Sequence, residues 1–368
     1  MHLLTAPRDQ LLAPLQSVSG IVEKRHTLPI LANVLIEKAG DQLTLLANDM
    51  EIQIKTTTAG DLGGEAAAIT VSAKKLQDIL RALPEGLAVN LTLDEPRLTV
   101  KAGKSRFALQ TLPAQDYPKM SVVEGEGVHF SVPQKTFRAL LAQVSYAMAQ
   151  QDIRYYLNGL LMIAEGKLLR MVATDGHRLG YIAAGLEVDL PRTDVILPRK
   201  TVLELNRQLS DTDEPVEITL AANQIVFRFG ATELISKLID GKFPDYERVI
   251  PQGHPKVVLL ERQPFLQALQ RAAILSNDKL RGVRLVFSAG MLKIASVNAE
   301  QEEAQEELEI EYAYESIDLG FNVTYLLEVL NNLSAEKVEL HLNDASASAL
   351  VMVPGNPDFK YVVMPMRI

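Results

Sequence analysis

The 368-residue chain contains no cysteine and no tryptophan, and none of its apolar stretches approaches the 18 residues of a membrane-spanning helix. Without cysteine there is no disulfide framework, no thiolate zinc site, no iron–sulfur cluster and no cysteine nucleophile, and a reducing compartment fits best. The opening Met1–Asp9 has neither a basic segment nor a long apolar one, so a secretory signal is not expected and a cytoplasmic location is. The sequon Asn322-Val323-Thr324 then never meets a glycosylation machinery. Acidic residues outnumber basic ones, 46 to 37, which excludes a surface that is basic all over. Any contact with nucleic acid must gather its positive charge on one face.

What the chain does have is repetition. An apolar run at Leu28–Glu37 returns at Leu157–Ile163 and at Leu280–Phe287, offsets of 129 and 123 residues. Upstream of each lies a helix-period pattern opened by Pro7, Pro133 or Pro264, a residue whose missing N–H is harmless in a first helical turn. Leu11, Leu15, Val18 and Val22 form one stripe, Phe137, Leu141, Val144 and Met148 the second, and Phe265, Leu269 and Ala272 the third. A second helix pattern recurs at Ser72–Leu83, Pro198–Leu209 and Asn322–Leu333, each followed by a hairpin pattern, turning at Asp94-Glu95-Pro96, Ala221-Ala222-Asn223 and near Asn343-Asp344. The chain reads as three copies of a unit of about 120 residues, spanning 1–122, 123–250 and 251–368.

Strand segments such as Val89–Leu93 and Val338–Leu342 alternate apolar and polar residues, which predicts antiparallel sheets with one covered and one wet face. The expected class is α+β, with two helices per copy packed on the covered face. Those helical segments sum to +8 while the rest of the chain sums to −17. Charge segregated in this way suits a polyanion held inside a concavity, although solvated lysines on helix faces give the same count.

Catalytic constellations mostly dissolve on inspection. Ala102-Gly103-Lys104-Ser105 resembles the end of a phosphate loop, but the residue five before Gly103 is Leu98 and the segment lies in a hairpin. The six histidines show no metal-ligand spacing. Ala173–Gly180 places Asp175 and His177 in one turn, where they would orient each other for general-base work in a hydrolase. No activated nucleophile accompanies them, and Asp-Gly is a common hairpin turn.

Five segments carry a resemblance. Thr27–Leu31, Gln151–Gly159, Ala173–Leu179, Gly241–Val249 and Tyr361–Arg367 are similar, in order and spacing, to the bacterial DNA polymerase III beta subunit family of replicative sliding clamps. The resemblance implies a head-to-tail homodimer of three DNA-clamp domains per protomer, closed into a ring around double-stranded DNA without reading its sequence. Helices would line the hole, no cofactor would be needed and no reaction catalysed. Sliding then requires water-mediated and mobile cationic contacts to phosphates. By similarity the DNA-facing residues are Arg25, Lys74, Gln151, Tyr155, Tyr156 and Arg199, and charge alone adds Lys75, Arg138, Lys200 and Arg207.

The resemblance further implies a pocket for short peptides of the replicative polymerase, the clamp loader and repair proteins. Its residues would be Leu157, Thr174, Gly176, His177, Arg178, Leu179, Pro244, Arg248, Val249, Asn322, Tyr325, Ser346, Ser348, Val362, Val363, Met364, Pro365, Met366 and Arg367. Ser346 stands where the family pattern has a small apolar residue, and Leu280 where it has an aromatic one. Lys75, Phe107 and Leu109 of one protomer would meet Ile274 and Leu275 of the other, with Glu302 and Glu303 close to Lys75. Two other readings fit the same residues: a peptide-binding scaffold without DNA, and the Asp175/His177 hydrolase. No membrane partner is implied.

Overall fold

The computed structural model describes residues 1–23, 27–60, 62–122 and 127–368. Among the described residues there are six helices and 22 strands, every strand pair is antiparallel, and the α+β class read from the sequence holds. The helices are α1 (Arg8–Ser19), α2 (Ala73–Ala82), α3 (Gln134–Val144), α4 (Arg199–Gln208), α5 (Arg262–Ala273) and α6 (Val323–Asn332). They divide as expected, two to each repeat. The first repeat's boundary at 122/123 falls beside Val123, which lies outside the described residues.

The chain forms two compact units. Residues 1–138 with 203–238 make the first, and residues 139–202 with 239–368 the second. The first unit holds one twelve-stranded sheet, in neighbour order His2–Pro7, Ala88–Asp94, Arg97–Ala102, Ser105–Pro113, Ala67–Ser72, Asn33–Ala39, Gln42–Asn48, Ile52–Ala59, Thr232–Lys237, Gln224–Phe229, Pro215–Leu220 and Val128–Pro133. Its eighth and ninth strands are joined by the ladder from Ile52↔Ser236 to Thr56↔Thr232, although they lie far apart in sequence. The second unit holds a six-stranded sheet (Gly159–Thr174, Arg178–Pro198, Asn356–Val363, Ala349–Val353, Lys337–Leu342, Lys256–Glu261) and a four-stranded one (Glu303–Glu309, Met291–Val297, Gly282–Ser288, Ile317–Asn322).

Local chemistry explains the helices. Ser72 caps α2, its side chain accepting the Lys75 N–H, and Ala73, Leu76 and Leu80 form the buried stripe. Asn322 caps α6 in the same way through the Thr324 N–H, above buried Val323, Leu326, Val329 and Leu330. Pro7 and Pro133 immediately precede α1 and α3. Pro264 differs, because α5 starts at Arg262 and the proline is its third residue, still within the turn that has no intrahelical acceptor for its N–H.

Two features depart from a simple repeat. Leu28–Ala32 is not strand; Pro29–Ala32 forms a 3-10 turn and the strand begins at Asn33. The proline fixes φ and supplies no ladder donor, so the apolar run turns before it extends. In the second repeat, two long strands of 16 and 21 residues replace the four shorter ones of the flanking repeats. Register shifts between Ala164 and Leu168 bend this hairpin midway, so one strand serves as two.

Candidate functional site

The candidate site lies in the second unit and is built on two self-closed turns. In the first, Asp152 N–H donates to Asn158 Oδ1 and Asn158 Nδ2 donates back to Asp152 O, each at 2.9 Å. Arg154 forks onto the Asp152 carboxylate through Nε at 3.0 Å and Nη2 at 2.8 Å. These hydrogen bonds hold the Asp152 carboxyl down at about 2, against an ordinary value of 3.8. Gln151 enters this turn at φ 56°, a left-handed conformation uncommon for a side chain of its kind.

The second turn joins the strands ending at Thr174 and starting at Arg178. Thr174 Oγ1 donates to Arg178 O at 2.6 Å and accepts the Gly176 N–H at 3.1 Å. Asp175 Oδ1 accepts the backbone N–H groups of His177 and Arg178 at 2.8 and 3.1 Å. Gly176 sits at φ 90°, and a Cβ there would come within 2.9 Å of Arg154 Nη1, so both the turn and the neighbouring guanidinium require glycine. Arg154 Nη2 donates to Asp175 O at 3.1 Å and ties the two turns together.

This geometry overturns the Asp175/His177 dyad. The carboxylate binds the turn's own backbone and Arg178 Nε, at 3.1 Å, and reaches His177 only through its main-chain N–H. Arg178 is 8% exposed, and its other donors go to Glu328 and, at 2.6 Å, to Tyr146 O. Burial alone would lower its pKa, but the Tyr361 hydroxyl, the Glu328 hydrogen bond and the Asp175 charge outweigh burial and hold it above its usual value. The guanidinium is a fixture of the fold.

Between the turns opens a cleft of about 460 Å³. Leu157, Thr174, Gly176, His177, Arg178, Leu179, Pro244, Arg248, Val249, Ser348, Val362 and Met364 line it, twelve of the nineteen residues expected there. Its floor is apolar and buried, with Leu157 and Leu179 each 1% exposed, whereas Val249 and Met364 stand 45% and 47% exposed at the rim. Arg248 is held by Asp245 at 2.8 Å, and Ser348 O accepts from His254 Nε2 at 2.8 Å.

The other seven expected residues lie outside the lining. Asn322 caps α6, Tyr325 lies under Arg178, Val363 is wholly buried, and Ser346 closes a turn on Asp344 Oδ1 through its N–H and hydroxyl at 2.8 and 2.6 Å. Pro365, Met366 and Arg367 follow Met364 away from the cleft, Met366 N–H donating to Gly320 O at 2.8 Å.

Four lining residues went unassigned to this site in the sequence reading: Arg154, Tyr156, Phe243 and Tyr246. Phe243 and Tyr246 stand inside the quoted Gly241–Val249 segment, so their aromatic character was the available signal. Burial lifts the Tyr246 hydroxyl to about 12. Tyr156, assigned to the DNA face, lines the cleft and packs on its apolar cluster.

The residues expected to face DNA fall in both units. In the first, Lys74 is exposed and paired with Asp78 on the same helix, Arg138 is exposed, and Arg207 grips buried Glu204 and donates to Ser17 O at 2.8 Å. Arg207 is therefore not the mobile cation that its charge suggested. In the second, Tyr155 is 58% exposed, and Arg199 opens α4, its Nη1 donating to Met148 O at 3.4 Å. Lys200 follows it on α4. Arg25 lies outside the described residues.

For the expected seam, Leu109 is 8% exposed, whereas Phe107 on the same strand is half-buried and Lys75 is exposed. Ile274 is 76% exposed, Leu275 is half-buried, and Glu302 accepts from Asn298 Nδ2 at 2.6 Å. Glu303 begins the outermost strand of the four-stranded sheet. Among the described residues, no group of three metal-ligating side chains converges, and no helix is long and apolar enough to cross a membrane.

Comparison with known proteins gives a consistent result. Profiles of the DNA polymerase III beta subunit match throughout: the N-terminal domain over residues 1–121, the central domain over 131–245 and the C-terminal domain over 247–367. The beta sliding clamp of Pseudomonas aeruginosa is 48% identical over 372 residues, covering 100% of both chains, and that of Escherichia coli K12 is 44% identical over 364 residues, covering 99% of both. A crystal structure of the DNA polymerase III subunit beta from Pseudomonas aeruginosa bound to griselimycin superposes with a TM-score of 0.94 at 48% identity over 100% of both chains. The Caulobacter crescentus beta sliding clamp superposes at 0.93 with 36% identity, covering 100% of this chain and 99% of that one.

Proposed function

The chain belongs to the DNA polymerase III beta subunit family, the beta sliding clamps, which are non-catalytic processivity subunits, and on that premise we propose that it closes as a homodimeric ring around duplex DNA in the cytoplasm. Each protomer would contribute three clamp domains, 1–122, 123–250 and 251–368. The observation that carries this reading is the repeat itself: a strand, a helix, strands, a second helix and further strands, three times over in one chain. Such a unit suits a ring of similar segments, and basic helices on an acidic protein suit a polyanion at its centre.

Lys74, Gln151, Tyr155 and Arg199 would face the DNA. Contacts of this kind weaken as salt rises. The cleft would take short peptides from the polymerase, the clamp loader and repair proteins. Apolar walls would receive their side chains, Met364 would adapt to different partners, and Arg154, His177 and Arg248 would hold polar groups at the rim. Two sheet edges support the seam. Ser105–Gln110 is paired only on its Arg97–Ala102 side, Glu303–Glu309 is outermost in its sheet, and the first carries Arg106 where the second carries four glutamates.

Retention on DNA tests the reading. Once loaded, the protein is expected to remain on closed or nicked circles and to run off linear DNA of the same length, because enclosure and not affinity holds it. Equal retention on both would refute a topological mechanism.

A further inference from the structure

After Val363 the chain leaves the six-stranded sheet, and its next five residues are held by two backbone hydrogen bonds. Met364 N–H donates to His177 O at 2.9 Å, on the turn that borders the cleft. Two residues later Met366 N–H donates to Gly320 O at 2.8 Å, on the outermost strand Ile317–Asn322 of the four-stranded sheet. The segment thus staples one sheet to the other, and Met364, a wall of the cleft, is suspended between the two hydrogen bonds. Pro365 separates them. Its ring fixes φ and so removes one of the few torsions that could absorb a shift at Met366 before it reaches Met364.

Two glycines make the seat. A Cβ on Gly320 would lie 2.4 Å from Met366 O and 2.8 Å from both Cδ1 and Cγ1 of Ile368. At Gly282, on the neighbouring strand, the nearest approach is 3.4 Å, to Ile368 Cδ1, which is ordinary contact. One position therefore forbids any side chain and the other tolerates a methyl. Ile368 lies across both, although 69% of it remains exposed.

We propose that Gly320 and Ile368 are positioning residues of the peptide cleft: they seat the last residues on the four-stranded sheet and thereby set where Met364 stands. The proposal rests on reading the cleft as a peptide site. It assigns the affinity of that site in part to residues that do not line it.

The test uses the full chain, a fluorescent peptide of the Gln-x-x-Leu-Phe type, and ¹³C-methyl NMR of the methionines. Gly320→Ala should weaken the peptide about tenfold, Ile368→Ser about threefold, and Gly282→Ala less than about twofold. In the first two variants the Met364 methyl signal should move while a melting curve still shows the second unit folded. Ile368→Ser keeps the test open should Gly320→Ala fail to fold, because its side chain is mostly exposed. Wild-type affinity in a folded Gly320→Ala or in Ile368→Ser would overturn the proposal, as would an unmoved Met364 signal. If the unaltered chain does not bind the peptide, the cleft reading itself fails, and the methyl signals still report separately whether the seat exists.

Discussion

The Arg178 guanidinium carbon lies 4.5 Å from the centroid of the Tyr325 ring. That stacking, with the ion pair to Glu328, fastens the turn beside the cleft onto α6. A buried planar cation with partners on three sides leaves their polar groups stranded when it is removed. Glu328 is 38% exposed, so solvent screens part of that loss. Arg178→Met is expected to cost about 2 kcal/mol in urea unfolding. Arg178→Lys should also destabilise, because an ammonium neither forks nor stacks as a guanidinium does. A lysine variant as stable as the parent would mean that charge alone matters here.

The Asp152–Arg154 fork makes a prediction about acid. Because the folded carboxyl sits at about 2 and its ordinary value is 3.8, the pairing favours the fold above pH 3.8 and that contribution disappears as pH falls through about 2. A carboxyl ¹³C titration should therefore place the Asp152 midpoint near 2 and move it up in Arg154→Gln. A midpoint unchanged by that substitution would show that the fork is not its cause.

At the proposed seam, Ile274→Ala together with Leu275→Ala should yield folded monomers, since losing two apolar anchors from a small interface costs a few kcal/mol, roughly. Light scattering that still finds dimers would place the interface elsewhere.

Deleting Met364–Ile368 removes the Met364 wall and the staple between the sheets. Peptides of the Gln-x-x-Leu-Phe type should lose on the order of 2 kcal/mol or more by calorimetry, with a melting curve to show that the second unit stays folded. His177→Ala should weaken the same peptides modestly. No hydrolytic turnover is expected in either form, and a rate that vanished with His177 would restore the enzyme reading.

Much of this was legible in the sequence where one residue's chemistry decides the outcome. Ser72 and Asn322 announced the starts of α2 and α6, and the hairpin turns at Asp94–Pro96 and Ala221–Asn223 fall where the strands end. What stayed hidden depended on distant partners. Glu204, three residues back on α4, offered Arg207 a partner within its own helix, but the Ser17 carbonyl that completes its anchoring lies far away in sequence. Arg154 meets Gly176 and Asp175 only across two separate turns, and nothing in its own segment specifies that meeting.

The ladder between Ile52–Ala59 and Thr232–Lys237 bears on how the chain can be cut. A fragment ending at residue 122 would retain the first of these strands and lose the second, uncovering backbone donors and acceptors beside Ile52 and Ile54, now 1% and 0% exposed. An open, apolar strand edge recruits other edges. The repeat that organises the sequence is thus not a portable module, and the smallest severable piece follows the hydrogen-bonded ladder instead of the period.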